Sequence, residues 1–98
     1  MATIDLDRPW ALDRRVELRP ESFGALAYHF GTRRLSFLKS TRLRDTVEAL
    51  AHHPDAITAC RAAGVGEAEL PSYRAALERL AESGMIVPRE PAAAEVAG

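Results

Sequence analysis

The sequence lacks most of what enzymes, secreted domains and membrane proteins are built from. Cys60 is the single cysteine of 98 residues, so no internal disulfide can form. A chain of this size that stands without crosslinks fits a reducing compartment, the cytoplasm by default. Apolar runs are only a few residues long, which excludes a membrane-spanning helix. Asp5, Asp7 and Arg8 occupy the start where a secretory signal would be basic and then hydrophobic. Gly24, Gly31, Gly64, Gly66 and Gly84 are scattered at turns and helix ends. No phosphate-cradling loop of closely spaced glycines follows a strand, and nucleotide binding is unsupported.

Groups that could do chemistry are equally sparse. Catalysis needs a nucleophile and base within reach, paired carboxylates, or metal ligands at suitable spacing. His52 and His53 precede Asp55, but neighbours on a helix point about 100° apart and do not readily chelate one ion; solvated histidines at a helix end are expected. His29 has no second ligand placed by sequence and is expected at the surface. Cys60 shares a helical face with Ile57, the setting of a small buried hydrophobe rather than a reactive thiol. No enzyme, metal site or cofactor is expected.

What is present is the material for one modest core, since 47% of the residues are apolar and the length is too short for two independent domains. The net charge of −1 conceals a basic half up to residue 44 and an acidic half beyond it, a split that suits a partner of mixed or acidic charge.

Residues 1–12 mix charges with Pro9 and Trp10 and read as an extended arm, tacked down by the indole. Val16 and Leu18 alternate with Glu17 and Arg19 as in a half-buried strand, and Pro20, Glu21, Ser22 and Gly24 make a turn. Leu26, Tyr28 and Phe30 on one face, with Ala25, Ala27 and His29 on the other, give a second strand. A third follows, with Leu35 and Phe37 expected inward and Arg34 and Ser36 outward, completing an antiparallel meander.

The period then lengthens. Ser40 or Thr41 caps a helix with Leu43, Val47, Leu50 and Ala51 on its apolar face, ended by Pro54. A second helix carries Ile57 and Cys60 and stops at Gly64. The third places Leu70, Tyr73, Leu77 and Leu80 on one face and stops at Gly84. Met85, Ile86 and Val87 fold back on the core, and residues 89–98 form a disordered tail. The expected fold is α+β and winged-helix-like: an N-terminal three-stranded antiparallel sheet followed by three helices, with the working domain spanning residues 13–88.

Three segments, Leu18-Arg19-Pro20-Glu21, Phe23-Gly24-Ala25-Leu26 and Phe30-Gly31-Thr32-Arg33, carry a resemblance to a known family. Ala62-Ala63-Gly64-Val65 and the run from Leu80 to Val87 extend it over about residues 9–88. The sequence resembles the mycofactocin peptide chaperones, peptide recognition elements similar to the chaperone of pyrroloquinoline quinone biosynthesis. The resemblance implies a protein that holds the leader of the mycofactocin precursor peptide. It also implies a radical S-adenosylmethionine maturase as partner, with the iron–sulfur chemistry residing in that partner.

In this class the peptide is expected to add as a strand at the edge of the third strand, residues 33–38, against the third helix. The candidate peptide-binding residues are then Arg33, Arg34, Leu35, Ser36, Phe37 and Leu38 on the strand and Tyr73, Arg74, Leu77 and Leu80 on the helix. The arginines would pair with acidic leader residues, and the apolar groups would form floor and wall or simply core. The rival is a winged-helix nucleic-acid binder reading DNA with its third helix. Glu67, Glu69, Glu78 and Glu82, against only Arg74 and Arg79, make that helix a poor match to phosphates. Neither nucleic acid nor membrane is expected as a partner.

Overall fold

The computed structural model describes residues 5–89. The expected tail beyond residue 89 and the first four residues of the expected arm lie outside the described residues. In chain order the elements are β1 (Trp10–Leu12), β2 (Val16–Glu21), β3 (Gly24–His29), β4 (Leu35–Leu38), α1 (Thr41–Ala49), α2 (Ala56–Ala62), α3 (Leu70–Glu82) and β5 (Ile86–Pro88). The fold is α+β, as the sequence patterns require. A three-stranded antiparallel sheet ordered β2-β3-β4 sits mid-chain, and β1 pairs with β5 in a separate antiparallel ribbon.

That ribbon was not legible in the periodicity. Trp10 faces Pro88 and Leu12 faces Ile86, so the two ends of the domain are stitched together. Within residues 5–12 the chain is tacked onto the domain: Leu6 and Trp10 are buried, and the carbonyls of Leu6 and Arg8 accept from the amides of Ile57 and Ala56 at the start of α2. Arg89, placed in the tail by sequence, donates from its backbone to the Pro9 carbonyl. Its guanidinium donates to the carbonyls of Trp10, Leu50 and His53.

Local chemistry marks the starts of two helices and the ends of two. The Ser40 hydroxyl accepts from Leu43 N at 2.9 Å and caps α1, and Asp55 accepts from Thr58 N at 2.7 Å and caps α2. The Thr58 side chain chiefly, with that backbone bond adding to it, holds the Asp55 carboxyl below its usual pKa. Gly64 and Gly84, with φ of 94° and 80°, supply the left-handed residues after α2 and α3. The core gathers Leu38, Val47, Leu50, Ala56, Ala59, Cys60, Leu77, Leu80, Met85 and Ile86 between sheet and helices.

The sheet corrects the sequence reading in its choice of inner face. Ala25, Ala27 and His29 face the helices and are buried, with Ser36 and Leu38 of β4 beside them. Leu35 and Phe37, expected inward, are 52% and 56% exposed on the opposite face. Alternation defines two faces without saying which is covered. Here α1 packs onto β3, and the covered stretch of that strand carries the small side chains of Ala25 and Ala27. The β3 start is also closely approached by the β4 exit: at Gly24 an added Cβ would sit 2.0 Å from the Leu38 carbonyl oxygen.

His29 is the second correction: it is a buried structural residue, not a surface one. Its Nδ1 accepts from the backbone N–H groups of Gly31 (2.9 Å) and Thr32 (3.1 Å), so the ring organises the β3–β4 turn. Its Nε2 lies 3.7 Å from the Asp13 carboxylate. Arg33 completes the same turn with a φ of 65°, a left-handed conformation uncommon outside glycine. Ala51, assigned to the apolar face of α1, is exposed just beyond the helix. Cys60 is fully buried, and desolvation raises its thiol pKa.

Candidate functional site

The strand ladder decides which backbone groups remain available. In an antiparallel pair, residues alternate between exchanging both hydrogen bonds with the partner and turning both groups away. The amide of His29 donates to the Arg34 carbonyl at 2.9 Å. With Ala27 opposite Ser36 and Ala25 opposite Leu38, this phase makes Ser36 and Leu38 the residues bonded to β3. Leu35 and Phe37 therefore point their N–H and C=O groups to the far side of β4. Among the described residues β3 is the only strand paired with β4.

The opposite margin, on β2, is different. The Phe30 amide donates to the Arg15 carbonyl, so Val16, Leu18 and Pro20 turn their backbone groups outward. Val16 N already donates to the Asp13 carbonyl, and Pro20 has no N–H at all. Edge strands are commonly blunted this way, which leaves β4 as the better-equipped margin of the sheet.

Beside that margin runs a groove between β4 and α3. A depression of about 410 Å³ is lined by Ser36, Phe37 and Lys39 from β4 and its exit, Leu43 from α1, and Ala76, Arg79, Leu80 and Ser83 from α3 and its C-terminus. A smaller one of about 170 Å³ shares Lys39, Leu43 and Ala76 and continues to Ser40, Ser72 and Tyr73. The helical contributors, Ser72, Tyr73, Ala76, Arg79, Leu80 and Ser83, form one stripe. At about 1.5 Å per residue the stripe is roughly 16 Å long, the span of about five residues of extended chain.

The sequence-derived candidates distribute unevenly over this site. Ser36, Phe37 and Leu80 line the larger depression and Tyr73 the smaller. The Tyr73 hydroxyl is 3.5 Å from that of Ser40, the α1 cap. Leu38 and Leu77 are fully buried and belong to the core. Arg33, Arg34 and Arg74 are exposed and line neither depression.

Leu35 faces a separate hollow of about 260 Å³ on the outer sheet face, with Glu17, Arg19, Leu26 and Tyr28. That face also carries exposed aromatic rings. Phe23 stacks on Phe37 with centroids 6.0 Å apart, and Phe30 meets Tyr28 edge-on at 5.0 Å.

Sequence reasoning missed Lys39, Leu43, Ala76, Arg79 and Ser83. The helical signal for three of them was present, since 72, 76, 79 and 83 follow the i, i+4, i+7, i+11 spacing of one face. The apolar stripe through Leu77 drew attention to the neighbouring core face instead. No helix among the described residues is long and apolar enough to cross a membrane.

Comparison with known proteins agrees with the resemblance carried by the sequence motifs. Residues 9–87 match the model of the peptide chaperone MftB family. A peptide chaperone MftB of Mycobacterium ulcerans is 56% identical over 87 residues, covering 89% of this chain and 80% of the relative. The Mycobacterium tuberculosis protein of the same name is 52% identical over the same shares. That of Mycolicibacterium smegmatis is 51% identical over 91% of this chain and 87% of its own. No solved structure matches. With a family match over most of its length and relatives above half identity, this chain belongs to the peptide chaperone MftB family.

Proposed function

We propose that this chain is a non-catalytic chaperone. It receives the leader of the mycofactocin precursor peptide as an added strand on β4 and presents that peptide to a radical S-adenosylmethionine maturase. The observation that carries the reading is the unpaired margin of β4 standing over a groove of matching length. An extended peptide satisfies the outward backbone groups of Leu35 and Phe37, and its alternate side chains drop toward Leu43, Ala76 and Leu80.

Magnitudes divide the work between these two contributions. Each backbone hydrogen bond contributes about 0.5–1.5 kcal/mol net. Two residues offering an N–H and a C=O each therefore reach about 2–6 kcal/mol, short of the roughly 8 kcal/mol of micromolar binding. Side-chain burial at about 25 cal/mol per Å² of apolar surface supplies the remainder. The groove thus sets specificity while the strand edge sets direction and register.

The test is an amide chemical-shift and hydrogen-exchange map with a synthetic precursor leader. The Leu35 and Phe37 amides gain protection, while those of Val16 and Leu18 on the opposite margin do not. Protection on β2, or shifts confined to the outer surface of α3 with random duplex DNA as the binding partner, would overturn the assignment.

A further inference from the structure

The charges bordering the groove single out one kind of guest. Helix α3 and its approach are acidic overall, with Glu67, Glu69, Glu78 and Glu82, yet none of these carboxylates lines either depression between β4 and α3. The only charged side chains there are Lys39 and Arg79. No ion pair engages either of them among the described residues, whereas Arg15, Arg42, Arg44 and Arg61 each have a carboxylate partner. Two uncommitted cations thus stand over an apolar floor of Leu43, Ala76 and Leu80. They come from opposite banks, one at the exit of β4 and one on α3.

Extended chains present alternate residues to opposite sides. From this arrangement we infer that the groove selects segments in which apolar residues alternate with acidic ones: the apolar residues fill the floor, and the carboxylates meet Lys39 and Arg79 at the rim. The inference rests on the leader-binding reading and deepens it by naming the chemistry that is read. It also moves the ionic contacts from Arg33, Arg34 and Arg74 to Lys39 and Arg79. A nucleic-acid strand fits less well, because the floor is aliphatic and the margin offers peptide-spaced hydrogen bonds.

The experiment uses fluorescein-labelled twelve-residue peptides flanked by Gly-Ser. Their central six positions alternate Leu or Val with Glu, Gln or Lys, and binding is read by anisotropy at low and at physiological salt. The Glu peptide is expected to bind at least fivefold tighter than the Gln peptide, with the gap narrowing as salt rises. Lys39→Gln and Arg79→Gln are each expected to remove about two- to fivefold of the preference, as rim-exposed ion pairs do.

Arg79→Glu is expected to turn the preference toward the Lys peptide, a reversal that a merely structural role does not produce. Arg74→Glu, outside the groove, leaves it unchanged. Equal affinities for the Glu and Gln peptides, with Leu35 and Phe37 amides protected by both, would sink the inference and leave strand addition standing. Failure of every peptide, including the precursor leader, to reach those amides would remove strand addition as well. Displacement of the Glu peptide by an equal concentration of oligo(dT) would show a general polyanion site and overturn the inference.

Discussion

Replacing Leu35 by proline separates the backbone contribution of β4 from everything else. The Leu35 N–H points away from β3, and the side chain is half exposed on the outer sheet face. Proline there removes a donor that the folded domain does not use and places a ring where a guest backbone would lie. Loss of the hydrogen bond alone is about 0.5–1.5 kcal/mol. Exclusion of the neighbouring peptide bond takes the total past about 1.4 kcal/mol, a tenfold weakening.

Two companions make the comparison sharp. Leu35→Ala keeps the N–H and reports the side chain alone. Ser36→Pro deletes a donor bonded to β3 and strands the Ala27 carbonyl, costing about 1–3 kcal/mol of fold stability. Anisotropy titration of a labelled leader and urea unfolding are measured for all three. The expected pattern is weak binding with near-normal stability for Leu35→Pro, normal binding for Leu35→Ala, and lost stability for Ser36→Pro. If Leu35→Pro binds the leader as tightly as Leu35→Ala, the peptide does not use this margin.

Other outcomes follow from the same geometry. Phe37→Asp weakens leader binding more than tenfold while the urea midpoint moves little, because the ring is 56% exposed and borders the groove; a large fall in stability would place it in the core. Leu77→Ala destabilises by about 2–5 kcal/mol through loss of a fully buried side chain, read by urea denaturation. His29→Ala strands the amides of Gly31 and Thr32 and costs about 1–3 kcal/mol, with local loss of exchange protection in the turn; unchanged protection would deny the ring that role. The Asp13 carboxyl, held down to about 2 chiefly by its hydrogen bond from Arg15, lies below its usual value of 3.8. Its contribution to stability is therefore complete above that ordinary value and fades as pH falls toward 2. An NMR titration of the carboxyl carbon checks this.

Helices and strands were readable because spacing, caps and stops agree: Ser40, Gly64 and Gly84 mark boundaries by local chemistry, and Leu70, Tyr73, Leu77 and Leu80 share a helical face. Which face of the sheet is covered was not readable. Leu26, Tyr28, Leu35 and Phe37 are better hydrophobes than Ala25 and Ala27, but the close approach of α1 favours the smaller set. The burial of His29 depends on a turn two residues away and a carboxylate from before β2, neither of which periodicity expresses. Pairing of β1 with β5 joins segments nearly the whole chain apart, beyond any local pattern. At the site, the strand margin was legible and the groove's cations were not, since Lys39 and Arg79 become neighbours of one channel only after α3 has docked.

Pro20 has a consequence for the molecule's solution behaviour. Sheets that are sticky on both sides can grow without limit, copy upon copy, whereas here one side lacks a donor near its end at Pro20 and has the Val16 N–H already bonded to the Asp13 carbonyl. Open-ended growth through the sheet is therefore disfavoured on the β2 side, and a strand laid on β4 would cover the better-equipped margin.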